Sequence, residues 1–312
     1  MIYSYACALN EHPEIAGAIE TLSKHPIAHW YTDRDPFAKK NLDAYLNSNE
    51  DCQEANDSVL QSNIVVVYGL PSKDCKDHFS SDGCNKSTDD YKRFIQVLKE
   101  TNRSNKRTIY ILEPDAIGLL MDPDGVAQGL QYEKNLRMAI KMLSFGDSLG
   151  ETYIDIGFWC LMSDEQAAKV AKLVHSMDKH RKCKGIALNT SNYRSNEEMN
   201  ALCERFCRAS KRKYSCIVDT SRNYIGPPAS GEWCNVKHAG IGVPPTKNTG
   251  YEYIDYFVWV KPPGESDGEG TNRSSDAMLG PTAGQFFYEH FVILWNKGFF
   301  VCEKGACEIK TD

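Results

Sequence analysis

Ile64-Val65-Val66-Val67-Tyr68 and Thr108-Ile109-Tyr110-Ile111-Leu112 are the two most uniformly apolar short runs that set the fold class. Both are β-branched or aromatic at nearly every position. Neither alternates apolar with polar residues, which is the pattern of parallel strands buried on both faces. Working outward, similar runs fall at 27–31, 152–156, 185–189, 215–219 and 257–261. Amphipathic segments separate them. Ser163 with Gln166, and Ser195 with Glu198, have the spacing of capping boxes, in which the two side chains satisfy orphan backbone donors at a helix start. Further helices are expected at about 89–101, 132–149 and 283–296. This order predicts an α/β chain, a distorted seven-stranded parallel (β/α) barrel, TIM-like, with an open doubly wound sheet as the alternative. No G-x-G-x-x-G or Walker loop follows an early strand, which speaks against a nucleotide-binding sheet.

The 312 residues, 41% of them hydrophobic, can bury a large core, and no linker, repeat or low-complexity tract divides them. The net charge is -6 with both signs interspersed, so neither a nucleic acid nor an anionic membrane is an expected partner. Twelve cysteines fit disulfides in an oxidising compartment. Zinc competes poorly, because Cys203 and Cys207 sit four apart on a predicted helix with no matching second pair. Local closures are expected between Cys75 and Cys84 and between Cys302 and Cys307. Asn56, Asn85, Asn102 and Asn272 head N-x-S/T triplets and point to secretion as well. No run approaches the roughly 18 apolar residues of a membrane span. Met1-Ile2-Tyr3-Ser4 lacks the features of a signal peptide, so a secretory leader or an anchoring portion is expected to have been removed.

Carboxylates gather just past the predicted strands. Leu112 leads to Glu113-Pro114-Asp115, Asp155 lies in the fourth strand, Asn189 closes the fifth and Asp219 the sixth, and Glu265 and Asp267 follow the seventh. A barrel keeps its site at that rim. Like charges held close raise one another's pKa, and a protonated acid beside an ionised one is what glycoside hydrolysis requires. Each acid also has a plainer reading. Asp115 could cap a helix beginning at Ala116, and Asp219 could serve the turn before Arg222.

The joint pattern is more specific. Val66-Val67-Tyr68 with Leu70-Pro71 and Asp74-Cys75, then Ile111-Leu112-Glu113-Pro114-Asp115, then Gly231-Glu232-Trp233-Cys234-Asn235, then Phe257-Val258-Trp259-Val260-Lys261-Pro262 with Glu265 and Asp267, resemble the ordered signatures of glycoside hydrolase family 6. This family holds cellobiohydrolases and endoglucanases, and the likeness runs from about residue 30 to 300. It implies one catalytic domain over 1–312 that hydrolyses β-1,4-glucosidic bonds in cellulose or related β-glucans with inversion. It further implies a monomer with no cofactor or metal, a β-glucan polysaccharide or oligosaccharide as its partner, and an extracellular location. By position, Asp115 would be the general acid, held protonated by Asp74, and Tyr68 would press the sugar out of its chair. Asp267 would be the base, directly or through a water chain, with Ser81 of the Ser80-Ser81 pair holding that water. Lys261 and Glu265 would bind the sugar before the cleavage point, Trp30 and Trp233 would stack on that side, and Asp155, Asn189 and Asp219 would form a supporting polar shell.

Two departures matter. Where the family shows D-A-G-H-x-G-W, this chain reads Asp155-Ile156-Gly157-Phe158-Trp159-Cys160-Leu161. The His and the Trp that stacks the leaving sugar are missing, so Trp159 either compensates from a shifted position or packs in the barrel wall. Cys75 and Cys234 match bridged positions of the family, yet their partners are absent and position 266 is Ser. Short stretches from Asp267 to Gly284 and from Cys75 to Tyr91 favour an open cleft and endo cleavage. The competing reading is a glucan-binding or regulatory domain associated with cellulose synthesis, with weak or no catalysis.

Overall fold

The structure, a computed structural model, describes residues 2–47, 57, 59, 61–75, 82–103, 105–123, 125–146, 149–271 and 273–310. Its centre is one seven-stranded sheet of β1 His29–Thr32, β2 Asn63–Tyr68, β3 Thr108–Leu112, β4 Gly150–Asp155, β5 Gly185–Leu188, β6 Ser215–Asp219 and β7 Ile254–Val258. The strands pair in chain order and all are parallel. Helices α1 Tyr3–Glu11 and α2 Ala16–Leu22 precede β1, and α3 Ala38–Leu46 and α4 Thr88–Thr101 flank β2. Three helices, α5 Ala116–Met121, α6 Val126–Gly129 and α7 Tyr132–Gly146, join β3 to β4. Next come α8 Asp164–Met177 after β4, α9 Asn196–Ser210 after β5, and α10 Tyr288–Asn296 with α11 Phe299–Lys304 after β7.

The unbroken apolar runs are explained by two-sided burial. Ile64, Val66 and Tyr68 point inward with Ile109, Ile111, Tyr153, Ile217 and Val258. Val65, Val67, Tyr110, Leu112, Ile154 and Val218 point outward against the helices. Every residue of β2 and β3 is buried. The serine half of each capping box is present, with Ser163 Oγ accepting from the Gln166 amide at 3.2 Å and Ser195 Oγ from the Glu198 amide at 3.2 Å, but among the described residues the return bond is not, and Glu198 instead lies 3.6 Å from Arg194.

The circle is nearly but not fully closed. Between β7 and β1 runs one isolated parallel bridge, Ile27 to Trp259, with the Ala28 amide donating to the Trp259 carbonyl at 2.9 Å. A second core cluster covers this seam, in which Tyr5, Ile19 and Leu22 of the leading helices meet Trp259, Phe291, Trp295 and Phe300.

Several boundaries differ from the sequence reading. The seventh strand starts at Ile254 and ends at Val258 rather than spanning 257–261. The amides of Val260 and Lys261 instead donate to Asp219, at 3.1 and 3.2 Å, which bends them out of the ladder. The first strand begins at His29, since Ala28 pairs across the seam. The last predicted helix begins at Tyr288, because 283–287 pairs back on the 264–266 loop through Gly284, Gln285 and Phe287.

The cysteines also pair differently. Cys75, Cys84, Cys302 and Cys307 are free, and the disulfide joins Cys203 of α9 to Cys216 of β6, with a Cα–Cα distance of 6.2 Å. Helix packing along the strand, not nearness in sequence, sets that geometry. Of the sequons, Asn85 is buried with its amide donating to the Gly69 carbonyl at 2.7 Å, and the Asn102 amide donates to the Tyr110 hydroxyl at 2.8 Å. Asn56 and Asn272 lie outside the described residues. Among the described residues no helix is long and apolar enough to cross a membrane.

The bridge closes a short loop, so replacing Cys203 and Cys216 with Ser should cost about 3 kcal/mol of unfolding free energy. Denaturant titration checks this, and a variant as stable as the parent would show the bridge to be energetically idle. Peptide mapping should recover the 203–216 link and leave Cys75 and Cys84 alkylatable.

Candidate active site

The rim at the carboxyl ends of the strands must hold many acids in a mostly buried setting, and it does so in two ways. On the β2–β4 side burial raises the pKa of Glu113 and Asp155. Glu113 follows β3 in a left-handed conformation (φ 50°), and its buried carboxylate accepts from the Gly69 amide at 3.0 Å and the Leu70 amide at 3.2 Å. Burial pushes its pKa up to about 7 against the pull of those amides. The contacts tie the end of β3 to the loop after Tyr68.

Asp115, also left-handed (φ 68°), stands at the start of α5, but its side chain does not cap the helix. It is exposed and faces the cleft. Its amide donates to Asp155 Oδ1 at 3.2 Å. Asp155 is 3% exposed, and its pKa is pushed up to about 7, first by burial and then by the charge of Asp115. Asp155, at the end of β4, is thus fastened to the Asp115 backbone.

The loop from Tyr68 to Asp74 is held from below. Lys73 is buried and paired with Asp33 beyond β1, and its Nζ lies 5.3 Å from the Tyr68 ring centre. Asp33 also accepts from the Asn85 amide at 2.7 Å. Left-handed Ser72 and Asp74 (φ 56° and 51°) complete the turn that brings Asp74 to the cleft wall. Trp30 meets Tyr68 edge to face at 5.7 Å and donates from its indole to the Val260 carbonyl at 2.8 Å.

Across the cleft the acids are paired instead. Asp267 accepts from Arg222 Nη1 at 2.7 Å and from the Asn235 amide at 2.9 Å, with Lys261 Nζ 3.5 Å away. Burial alone would raise its pKa, but Arg222 and Lys261 outweigh burial and hold it down at about 2. Arg222 is fully buried, donates also to the Ser191 carbonyl, and lies 4.4 Å over the Tyr193 ring. Asp219 accepts from the amides of Ser191, Ser221, Val260 and Lys261, so it serves both the turn and the cleft floor. Asn189 (φ 65°) bonds the backbone of Arg194 and Asp219, which shapes the loop after β5. Glu265 accepts from Ser4 Oγ of α1 at 2.8 Å, and burial raises its pKa. Glu232 takes Arg273 at 2.7 Å, and the guanidinium lies 4.2 Å from the Trp233 ring centre, supporting one side of that indole.

Trp30, Tyr68, Asp74, Asp115, Asp155, Asn189, Trp233, Lys261, Glu265 and Asp267 all line one cleft of about 760 Å³. Ser81 lies outside the described residues. Trp159 lines the same cleft with 44% of its surface exposed. Its indole rests on Gly118 and Gly157, where an added Cβ would come within 2.9 and 2.4 Å of the ring, so neither position tolerates a side chain without displacing it. Phe158 buttresses it edge to face at 5.3 Å, under the Arg194 guanidinium. Sequence reasoning missed Arg222, Lys73, Asp33 and the role of Glu113. No spacing marks them, because each acts through contacts between distant loops. Among the described residues, the group of three metal-ligating side chains that converges is Cys203, Cys207 and Cys216, and two of its sulfurs form the disulfide.

The model of glycosyl hydrolases family 6 matches residues 4–297. Endoglucanase A of Thermobispora bispora is 30% identical over 249 residues, covering 78% of this chain and 51% of that protein. Exoglucanase-6A of Humicola insolens is 28% identical, covering 89% of this chain and 67% of that protein. The chain thus spans about half to two thirds of the length of these curated relatives. The catalytic core domain of the cellobiohydrolase Cel6A from Chaetomium thermophilum has a TM-score of 0.76 at 29% identity, covering 92% of this chain and 91% of that one. A motif order, a parallel seven-stranded rim of acids and a match over nearly the whole length agree, and the chain belongs to glycosyl hydrolase family 6.

Proposed function

We propose that residues 1–312 form one catalytic domain that hydrolyses β-1,4-glucan with inversion, and that it cuts within chains. The observation that carries this reading is the split in acidity across one cleft: Asp155, beside Asp115, titrates near 7, whereas Asp267 is held near 2. Environments that push carboxyl groups apart in this way separate the acid from the base. Asp115 donates the proton to the departing oxygen, and Asp155 with Asp74 shares and retains that proton. Asp267 is ionised throughout the working range and takes the proton of the attacking water through an intervening water. That relay suits inversion, where the two carboxyls stand roughly 6.5–9.5 Å apart. Tyr68 presses on the sugar at the cleavage point. Trp30, Trp233, Lys261 and Glu265 hold the glycone side, and Trp159 offers the leaving sugar a flat face from its shifted position.

Endo action is supported by the segment from Asp267 to Gly284. It is tied to 230–237 by the Asn235–Gly268, Lys237–Asp276 and Glu232–Arg273 contacts, which favours an open cleft. A binding-only domain would share the aromatic lining, but it would have no use for acids at opposite ends of the pKa range. The disulfide supports secretion, and a neutral glucan suits a cleft whose aromatic faces match sugar rings.

Replacing Asp115 with Ala should lower reducing-end release from soluble β-glucan about 10²–10⁴-fold. Undiminished activity would remove Asp115 from its role. NMR of the first product from cellohexaose should show the α-anomer, and an initial β-anomer would contradict inversion. Because the Asp115–Asp155 pair loses its proton as pH rises through about 7, kcat/KM should fall on that side. Asp155→Asn should move or flatten this alkaline limb, and an unchanged limb would assign it to another group. Trp159→Ala should reduce kcat/KM on cellohexaose up to about tenfold. The reduction should be smaller on an aryl cellobioside, whose leaving group is not a sugar, and equal losses on both substrates would place Trp159 outside the leaving-sugar site.

A further inference from the structure

The net charge of -6 conceals a cationic end. Lys179, Arg181, Lys182 and Lys184 lie on the loop entering β5, and Lys211, Arg212 and Lys213 on the loop entering β6. Although some 30 residues apart in the chain, the loops are fixed together by Asp178, the one acid in either run. Its buried carboxylate accepts from the Lys182 amide at 2.7 Å and the Tyr214 hydroxyl at 2.9 Å, and its carbonyl accepts from Arg212 Nη1 at 3.2 Å. The negative charge is thereby turned inward while the cations stay outside. Among the described residues Lys179, Arg181, Lys182, Lys211 and Lys213 have no ion-pair partner.

Beside this strip lies a second hollow of about 210 Å³, just over a quarter of the cleft volume, lined by Ile140, Lys141, Phe145, Met177, Lys179 and Lys182 among others. Phe145 is 57% exposed, with His180 edge-on at 5.5 Å and the Lys182 ammonium 5.1 Å from the ring centre. A flat ring in a small hollow, flanked by a row of unpaired cations, suits a ligand of ring-shaped units that carry spaced negative charges. A bilayer would call for several apolar side chains on a flat face, and a single strand of nucleic acid for successive aromatic platforms. This end offers one ring, in a hollow.

The geometry points to a binding surface for an acidic polysaccharide, with uronate carboxylates held by Lys179, Lys182 and the 211–213 run and one sugar ring seated against Phe145. The surface lies at the amino ends of β5 and β6, opposite the cleft, so an anchored molecule keeps its cleft free. The remainder of the chain is acidic and is repelled by a polyanion, which leaves this end as the one that can approach. The inference does not depend on the glucanase reading.

Affinity electrophoresis of the full chain in gels containing polygalacturonate tests it. Retardation of the parent is expected, weakening as salt is raised. The exposed double variant K179E/K182E should bind at least about tenfold more weakly at an unchanged thermal midpoint, and F145A should also bind more weakly. Unretarded migration of the parent, or full retardation of K179E/K182E, overturns the proposal. So does capture by vesicles of equal parts phosphatidylcholine and phosphatidylserine, or by an oligonucleotide, without binding to polygalacturonate.

Discussion

The buried ion pair between Arg222 and Asp267 is the constraint on which half of the cleft depends. A buried guanidinium must have its charge met: here Asp267 takes Nη1, the Ser191 carbonyl takes Nη2 and the Tyr193 ring lies under the plane, while Nε has no hydrogen-bond partner among the described residues. In doing so it draws together the loop after β5, the loop after β6, the Asn235 turn and the loop after β7. Loss of Arg222 alone would strand a buried carboxylate that Lys261, 3.5 Å away, could only partly neutralise.

The opposite wall solves the same physical problem by protonation. Glu113 and Asp155 are as deeply buried as Asp267, yet among the described residues neither forms an ion pair, and burial lifts both to about 7, in Glu113 against the pull of Lys73. The rim therefore has one side where burial raises carboxyl pKa values and one where cations lower them. Glu113 has the added task of gripping the amides of Gly69 and Leu70, which relates the position of Tyr68 to that of Asp115.

The strands were legible in the sequence because both of their faces are buried, and β2 and β3 advertise that as unbroken apolar runs. Their ends were less so. Trp259, Val260 and Lys261 have the composition of a strand, but two of their amides bond the Asp219 carboxylate, a choice decided by a residue some 40 positions away. Seven of the ten named cleft residues lie in the ordered motifs, and Trp30, Asp155 and Asn189 were placed by family position. Arg222 could not, since a buried arginine looks the same in sequence as a surface one. The cysteines failed for a related reason: α9 packing on β6 aligned Cys203 with Cys216, while nearness along the chain suggested other pairs. Trp159 was left undecided because its place depends on the bare backbone at Gly118, in the helix that follows a different strand.

The lone bridge between Ile27 and Trp259 has a consequence for how the molecule is made. Each strand pairs with the one synthesised just before it, so the sheet can grow in step with translation at modest loop-closure cost. The join between first and last strands is the exception, and its apolar lining waits for Phe291, Trp295 and Phe300. Until those side chains emerge from the ribosome, the nascent chain carries an uncovered, greasy edge, the stage at which a chaperone would have most to do.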